Sequence, residues 1–403
     1  MSLVAFALAA VGAFVAFLPL IQVLLPIKAA EIAPRAPTAI LGPIVAAGAV
    51  AAGVGNLVVG WLSDRSRALY GRRPWIVAGL GGILASYLII ALAHSAAALL
   101  AGTVAFQIAL NVMFAPLLAL VPDRVPASAR GRASAAIALG SPFGTLIGIG
   151  GLGLIPGSVA VQLAWLGAGV SALVLPLVLT LRPEPASTPA PAALPPSPTA
   201  PVPATPPSLR RAQVRDFVLG NAARMCVILS FSIAQTCLFF YVAGIRDLAG
   251  TARTEHGVAV LGLVFGLASA TMAAFLGPAS DRARRRKPFV IAGSLLIAVG
   301  MAGLAAASSW AGAVAAYTVY SVGAGAHMAV EFALIVDILP TRDRAARDLG
   351  LMNLANIVPQ VAAPLGLAWL ASRPGSNIHW CFAAGALSAA IGAALVAAIR
   401  SAA

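Results

Sequence analysis

Two ionisable residues inside apolar stretches are the strongest candidates for chemistry in this sequence: Glu331 and Arg224. A charge held inside a lipid bilayer costs roughly 3 kcal/mol, so residues of this kind are usually functional. His327 precedes Glu331 by four residues and lies one turn away on the same helix face. A carboxylate that engages and releases an arginine can release and bind a proton, which predicts a proton-coupling site. The alternatives are a static Arg224–Glu331 ion pair and a histidine bonded to a backbone carbonyl.

Neutral amides form a second group of polar residues in apolar stretches. Amide groups donate and accept hydrogen bonds and therefore suit hydroxylated solutes. We expect solute to be bound by these amides and by the two charged residues, namely Gln22, Gln107, Asn111, Arg224, Gln235 and Glu331. For each amide, interhelical packing is the alternative interpretation.

Membrane helices must position these side chains. The chain has 403 residues, of which 60% are apolar and 9% charged, whereas soluble domains carry about a quarter charged residues. Backbone groups in a bilayer must be satisfied internally, and about 20 apolar residues cross it as a helix. We predict an all-α integral membrane protein with twelve spans, at 3–27, 38–62, 75–94, 97–121, 133–155, 159–181, 217–244, 257–278, 288–307, 311–336, 350–371 and 379–399.

The basic residues predict the orientation of these spans. With both termini in the cytoplasm, 20 of the 26 Lys and Arg residues lie in inward segments, as the positive-inside rule requires. The net charge of +14 is therefore a topology signal, and we predict no nucleic-acid partner. We expect a multi-pass protein of a bacterial-type inner membrane.

A tract rich in proline, alanine and serine divides the chain. It follows Arg182, cannot bury a core and should be semi-extended. We predict an N-terminal six-helix bundle at 1–181, a cytoplasmic linker at 182–212 and a C-terminal six-helix bundle at 213–403. A spacer is the favoured role of the linker, and a ligand for a proline-binding module is the alternative.

The two halves repeat each other. The block Pro74–Gly79 recurs as Pro288–Gly293, and Asp123, Pro126 and Arg130 recur as Asp337, Pro340 and Arg344, all at an offset of 214 residues. One offset in two separate loops indicates an internal duplication, and hence pseudo-twofold symmetry.

The loop after the second span carries the most specific motif. It reads Gly60-Trp61-Leu62-Ser63-Asp64-Arg65 and then Gly71-Arg72-Arg73-Pro74-Trp75. This resembles the signature loop of the major facilitator superfamily, in a form similar to that of the glycoside–cation symporters and sucrose transporters. The resemblance implies solute bound near the midplane between the halves, in a cavity lined by helices 1, 4, 7 and 10. Sodium-coupled members of that branch use acidic residues in the N-terminal half, and spans 2 and 4 hold none.

Loops carrying both signs of charge suit a gate between the halves. A carboxylate such as Asp64 can accept hydrogen bonds from arginines or a helix N-terminus at the cytoplasmic seam. Anchoring of the arginines to anionic lipid is the alternative. The predicted gate comprises Gly60, Asp64, Arg65, Gly71, Arg72, Arg73, Asp123, Arg130, Asp281, Arg282, Asp337 and Arg344.

We therefore predict a secondary transporter rather than an enzyme, since no phosphate-binding glycine loop is present. It should act as a monomer, without cofactor or metal, on a small solute, with protons and membrane lipids as its other partners. Uptake of a sugar or other polar solute is the leading hypothesis. Proton-coupled export of a drug or lipid-like compound is the alternative, and a transport-inactive sensor or assembly factor is a third. The three cysteines are interpreted as core thiols.

Overall fold

The computed structural model describes residues 3–126, 137, 139–155, 157–181, 207–245, 248, 250–283, 286–337 and 345–400. Within these ranges the chain is helical, with no strands. In chain order the helices are α1 (Leu3–Ile32), α2 (Pro37–Tyr70), α3 (Arg73–Ala91), α4 (Ala96–Arg124), α5 (140–152), α6 (Val159–Thr180), α7 (Pro207–Ala243), α8 (Thr251–Ala283), α9 (Lys287–Ala306), α10 (Trp310–Asp337), α11 (Ala345–Ala371) and α12 (His379–Ala397).

The predicted fold class is confirmed, with six helices in each half of the part of the chain that the structure describes. Ten of the described helices are long and apolar enough to cross a membrane. The linker boundary needs a correction, because α7 begins at Pro207, inside the predicted linker. Proline suits the first turn of a helix, where its missing N–H has no partner to lose.

Local sequence signals explain where several helices begin. Ser95 caps α4, its Oγ accepting a hydrogen bond from the Ala98 N–H at 3.2 Å, and Ser158 caps α6 in the same way. Pro74 lies in the first turn of α3. Gly71 has a φ of 67°, a conformation that favours glycine, and this residue turns the chain from α2 into α3.

The sequence repeat is also a repeat of packing. A Cβ added to Gly79 of α3 would lie 2.6 Å from the Met113 Cβ of α4. A Cβ added to Gly293 of α9 would lie 2.8 Å from the backbone nitrogen of His327 of α10. Gly293 follows Gly79 by 214 residues, and His327 follows Met113 by the same number. The duplicated glycines thus allow the same close helix crossing in each half.

Two helix pairs pack closely across the boundary between the halves. A Cβ on Gly42 of α2 would lie 2.6 Å from the Pro364 oxygen of α11, and one on Gly266 of α8 would lie 2.9 Å from the Pro142 oxygen of α5. We call the end of the bundle near Gly71 and Leu181 the linker end and the opposite end the far end. Residues of all four helices line spaces between the halves.

Both N-terminal helices beside that space contain a π-helical turn. The turn of α1 is Leu20–Leu24 and that of α5 is Thr145–Ile149. The two helices pack against each other here, since a Cβ on Gly148 would meet the Pro19 ring. Single π turns inside α-helices are frequent at functional sites.

Candidate solute cavity, ion pair and gate

A cavity of about 230 Å³ lies between the halves. Its wall comes from α1, α5, α7, α8, α10 and α11, so the expectation of a wall built from helices 1, 4, 7 and 10 is met only in part. Its polar wall residues are Gln22, Ser141, Thr145, Ser232, Gln235, Tyr317, Tyr320 and Gln360, and its aromatic rings include Phe17, Phe231 and Phe265. Aromatic faces with a few convergent polar groups are typical of small-molecule sites.

A smaller chamber of about 30 Å³ shares part of this wall. Ser232, Gln235 and Gln360 line both spaces, and Gln107 of α4 enters only the smaller one. Three of the predicted solute ligands, Gln22, Gln107 and Gln235, therefore line two neighbouring spaces that share wall residues.

The structure brings Arg224 of α7 and Glu331 of α10 into direct contact. Arg224 Nη1 donates to Glu331 Oε1 at 2.6 Å, and its Nε donates to Asn356 Oδ1 of α11 at 3.1 Å. The two charged side chains are 15% and 16% exposed. Because the pair is mostly shielded from solvent but not fully buried, the Glu331 carboxylate can exchange its contact with Arg224 for a proton or a solute group.

This ion pair lies one helical turn from the cavity, on its linker side. Arg224 precedes the wall residue Ile228 by four positions, and Asn356 precedes Gln360 by four. Glu331 follows Met328, also in the wall, by three. One turn is about 5.4 Å, so a movement of this size would bring solute in the cavity into contact with the Arg224–Glu331 pair.

His327 lies beside the ion pair but faces a different helix. Its Nδ1 is 3.1 Å from Ser294 Oγ of α9, and its ring makes an edge contact with Phe231. It is 4% exposed and occupies the position equivalent to Met113. These contacts favour a packing role over the predicted direct role in proton transfer.

Asn111 requires a correction, because it lies in the contact between α2 and α4 rather than in the cavity wall. Its Oδ1 accepts from Asn56 Nδ2 at 3.2 Å, and its Nδ2 donates to the Gln107 carbonyl at 2.9 Å. Both ends of the amide are thus engaged within the bundle, as expected for a side chain that joins helices.

Arg72 is the centre of the predicted gate. Its guanidinium is 5% exposed and donates to Asp123 of α4 at 3.1 Å, to Ser63 at 2.7 Å and to Asp64 at 2.6 Å. The alternative interpretation, in which Arg72 anchors the loop to anionic lipid, needs an accessible guanidinium and does not fit this burial. Arg65, by contrast, is exposed and lies over the Trp61 ring, as an arginine near a membrane surface often does.

The expected partner of Asp64 across the seam is not the partner found in this conformation. Asp64 is 70% exposed, and its ion pair is with Arg72 of its own half. Gly60 has open space around it, and Arg73 is half-buried. Of the predicted C-terminal gate residues, Arg282 is exposed. Arg130 and Arg344 lie outside the described residues, as do the side chains of Asp281 and Asp337.

A polar clasp joins the halves at the far end. Gln162 of α6 is 1% exposed, and its Nε2 donates to Glu255 Oε2 of α8 at 3.0 Å. The same nitrogen is 3.3 Å from the Ile155 carbonyl. The clasp therefore favours closure of the far end, and opening that end requires breaking a hydrogen bond to a carboxylate.

Loss of the clasp should favour the state open at the far end. Gln162→Ala is expected to raise about tenfold the rate at which a thiol reagent, added from the far side, modifies Ser232→Cys in a cysteine-free background. Tenfold corresponds to roughly 1.5 kcal/mol, as for one hydrogen bond to a charged group. Glu31→Gln is the matched control, since Glu31 pairs with Lys28 within α1. An unchanged rate in Gln162→Ala would show that the clasp does not hold the halves together.

Sequence reasoning missed the contribution of α11. Asn356 bonds Arg224, and Gln360 lines both spaces. The available signal was two amides four residues apart in an apolar helix, which places them on one face.

Comparison with known proteins identifies the family. The Major Facilitator Superfamily profile matches residues 1–252 and 250–402. The chain belongs to the Major Facilitator Superfamily. Members of this superfamily are transporters rather than enzymes, so the cavity between the halves is the expected solute path. Comparison with curated protein sequences finds no match.

Several solved structures have a similar fold. A D-xylose–proton symporter matches with a TM-score of 0.72 at 15% identity, covering 98% of this chain and 97% of its own. An auto-inhibited POT family peptide transporter gives 0.70 at 14% identity, with coverage of 98% and 96%. The xylose transporter XylE from E. coli, in a partially occluded inward-open conformation, gives 0.67 at 12% identity, with coverage of 97% and 96%. At these identities the similarity concerns the fold alone.

Proposed function

We propose that this protein is a proton-coupled transporter that takes up a neutral, hydroxylated solute such as a sugar. The observation that carries the proposal is the Arg224–Glu331 ion pair, at 2.6 Å, one turn from a cavity lined by amides. The amides of Gln22, Gln235 and Gln360 can bond hydroxyl groups, while the aromatic rings pack against the apolar faces of a sugar. A D-xylose–proton symporter and a xylose transporter have a similar fold, so the fold is compatible with this assignment.

In the proposed cycle, Glu331 changes its proton occupancy as Arg224 moves. Protonation of the carboxyl removes the charge that holds the guanidinium, which leaves Arg224 with Asn356 and makes it available to the cavity. The halves then move about the bound solute, and the charges at the linker end and the clasp at the far end open alternately. The Arg72 cluster belongs to the gate at the linker end.

A stability screen followed by counterflow tests the proposed solute class. Purified protein should melt at a higher temperature with one or a few sugars or glycosides, and the same compounds should show counterflow in proteoliposomes. Ligand present well above its dissociation constant stabilises the folded state by mass action. Stabilisation by nucleosides or cationic drugs alone would contradict the sugar assignment.

Export of an aromatic or lipid-like compound is the second candidate. Phe17, Phe231 and Phe265 line the cavity from three helices of both halves, and such surfaces accept flat apolar compounds. Drug accumulation by inside-out vesicles, driven by a pH gradient, would favour this candidate over sugar uptake.

We further propose that the linker and both termini face the cytoplasm, since 20 of 26 basic residues then lie inside. A cysteine at Ser187, in a background without the native cysteines, should resist impermeant maleimide in intact cells and react after the cells are opened. A cysteine at Ala36, in the predicted outer loop between α1 and α2, is the matched control and should react in intact cells. Ready labelling of Ser187→Cys in intact cells would reverse the topology.

A further inference from the structure

Two of the three cysteines, which the proposed cycle does not use, meet at the interface of α7 and α12. Cys237 of α7 belongs to the buried core and Cys381 of α12 packs against that core, although 143 residues separate them in sequence. Cys237 is fully buried and Cys381 is partly exposed. Cys226, the third cysteine, lies three turns earlier in α7.

The packing register places the two thiols opposite each other. Along the antiparallel pair, Ser388 Oγ donates to the Cys226 carbonyl at 2.8 Å, and a Cβ on Gly385 would lie 3.7 Å from Ile233 Cγ2. One turn further in each helix, the next facing pair is Cys381 and Cys237.

A glycine of α12 allows close contact with the backbone of α7. A Cβ on Gly392 would lie 3.2 Å from the Ala223 carbonyl and 3.4 Å from the Cys226 Cβ. A disulfide requires Cβ atoms about 3.5–4.5 Å apart, and the contact at Gly392 shows that α7 and α12 pack at a similar separation three turns from the two cysteines.

The position of the pair gives oxidants access to one thiol. Cys381 lies in the first turn of α12, at the far end, beside a groove of about 690 Å³ whose wall includes His379 and Trp380. The predicted orientation puts this end outside the cytoplasm, where disulfides form and persist.

We propose that Cys237 and Cys381 form an oxidisable thiol pair, a modification site whose disulfide links α7 to α12. With hydrogen peroxide as oxidant, the Cys381 sulfur attacks one peroxide oxygen, the O–O bond breaks, and the released hydroxide takes the thiol proton as water. The Cys237 sulfur then attacks the resulting sulfenic acid. The S–S bond forms, the S–O bond breaks, and a second water leaves with the Cys237 proton. Two electrons pass from the sulfurs to the peroxide.

The link would constrain a helix that carries much of the cavity wall. Ile228, Phe231, Ser232 and Gln235 of α7 line the cavity. A disulfide that closes a long loop also restricts the unfolded chain, so the oxidised protein should melt at a higher temperature than the reduced protein. This inference is independent of the proposed solute and of proton coupling.

Peroxide treatment of the purified full-length protein tests the proposal. The number of free thiols should fall from three to one, and peptide mass spectrometry should find Cys237 linked to Cys381 with the loss of two hydrogens. Cys226→Ser is the matched control and should form the same link. In Cys237→Ser, the sulfenic acid on Cys381 should be trapped by dimedone, and peroxide should no longer raise the melting temperature.

Two results would overturn the proposal. One is a linked peptide that contains Cys226 in place of either partner. The other is the recovery of Cys237 and Cys381 as separate alkylated thiols after peroxide treatment, although maleimide labels Cys381 in the folded protein.

Discussion

Replacement of Glu331 by glutamine is expected to abolish solute accumulation driven by a pH gradient, while exchange of solute at equilibrium continues. Glutamine preserves the shape and the hydrogen-bonding capacity of the protonated acid but cannot change its charge. Exchange needs no net change in protonation, so it separates loss of coupling from loss of folding or binding. The measurement is uptake into proteoliposomes, with and without an imposed gradient, of the solute identified by counterflow.

Two further variants give this experiment its controls. Glu31→Gln removes a carboxylate that is 48% exposed and lies at the far end of α1, so gradient-driven uptake should continue. Arg224→Ala should cause more damage than Glu331→Gln, because it removes the guanidinium that neutralises a screened carboxylate. Breaking a buried ion pair from one side costs roughly 3–5 kcal/mol. Normal accumulation by Glu331→Gln would assign proton coupling to another group or leave facilitated diffusion.

Arg72→Ala is expected to cause the largest loss of stability among single substitutions in the predicted gate. Arg72 is 5% exposed and bonds three side chains on α2 and α4, including Asp123, which is 9% exposed. Removing the guanidinium should cost roughly 3–5 kcal/mol, as for other buried ion pairs broken from one side. The protein in detergent should melt at a clearly lower temperature.

The neighbouring residues supply matched comparisons. Arg73→Ala changes the adjacent, half-buried arginine and should lower the melting temperature little. Asp64→Asn alters a carboxylate that is 70% exposed, so it should preserve folding and impair cycling. Equal melting temperatures for Arg72→Ala and Arg73→Ala would show that the cluster contributes little to the fold. Wild-type transport by Asp64→Asn at matched expression would exclude a gating role for Asp64.

The helical fold follows from the sequence because apolar stretches and a repeat at a constant offset are long-range patterns. The approach of Arg224 to Glu331 was also predictable, since counting residues from the linker end gives the two residues similar depths in one half. The depth of a residue along a helix does not specify on which face of the helix its side chain lies. For that reason the sequence assigned Asn111 to the cavity, whereas its amide faces Asn56.

Other contacts among helices far apart in sequence could not be predicted. Arg72 and Arg73 are adjacent residues of the same type, and only the turn at Gly71 and the packing of α3 decide which one is buried. Gln162 and Glu255 bond across the two halves, and no pattern within either helix marks them as partners. The meeting of Cys237 and Cys381 likewise depends on the register of two helices at opposite ends of the C-terminal half.

The π-helical turn of α1 has a consequence for sequence alignment. Such a turn contains one residue more than the α-helical turn it replaces, and in an α-helix one residue corresponds to about 100° of rotation. The segment up to Pro19 and the segment from Leu25 therefore present different faces than one uninterrupted helix would. When this chain is aligned with a relative whose first helix is regular, the relative should carry a one-residue gap opposite Leu20–Leu24, the segment that contains Gln22. The gap should not be placed in the loop that follows.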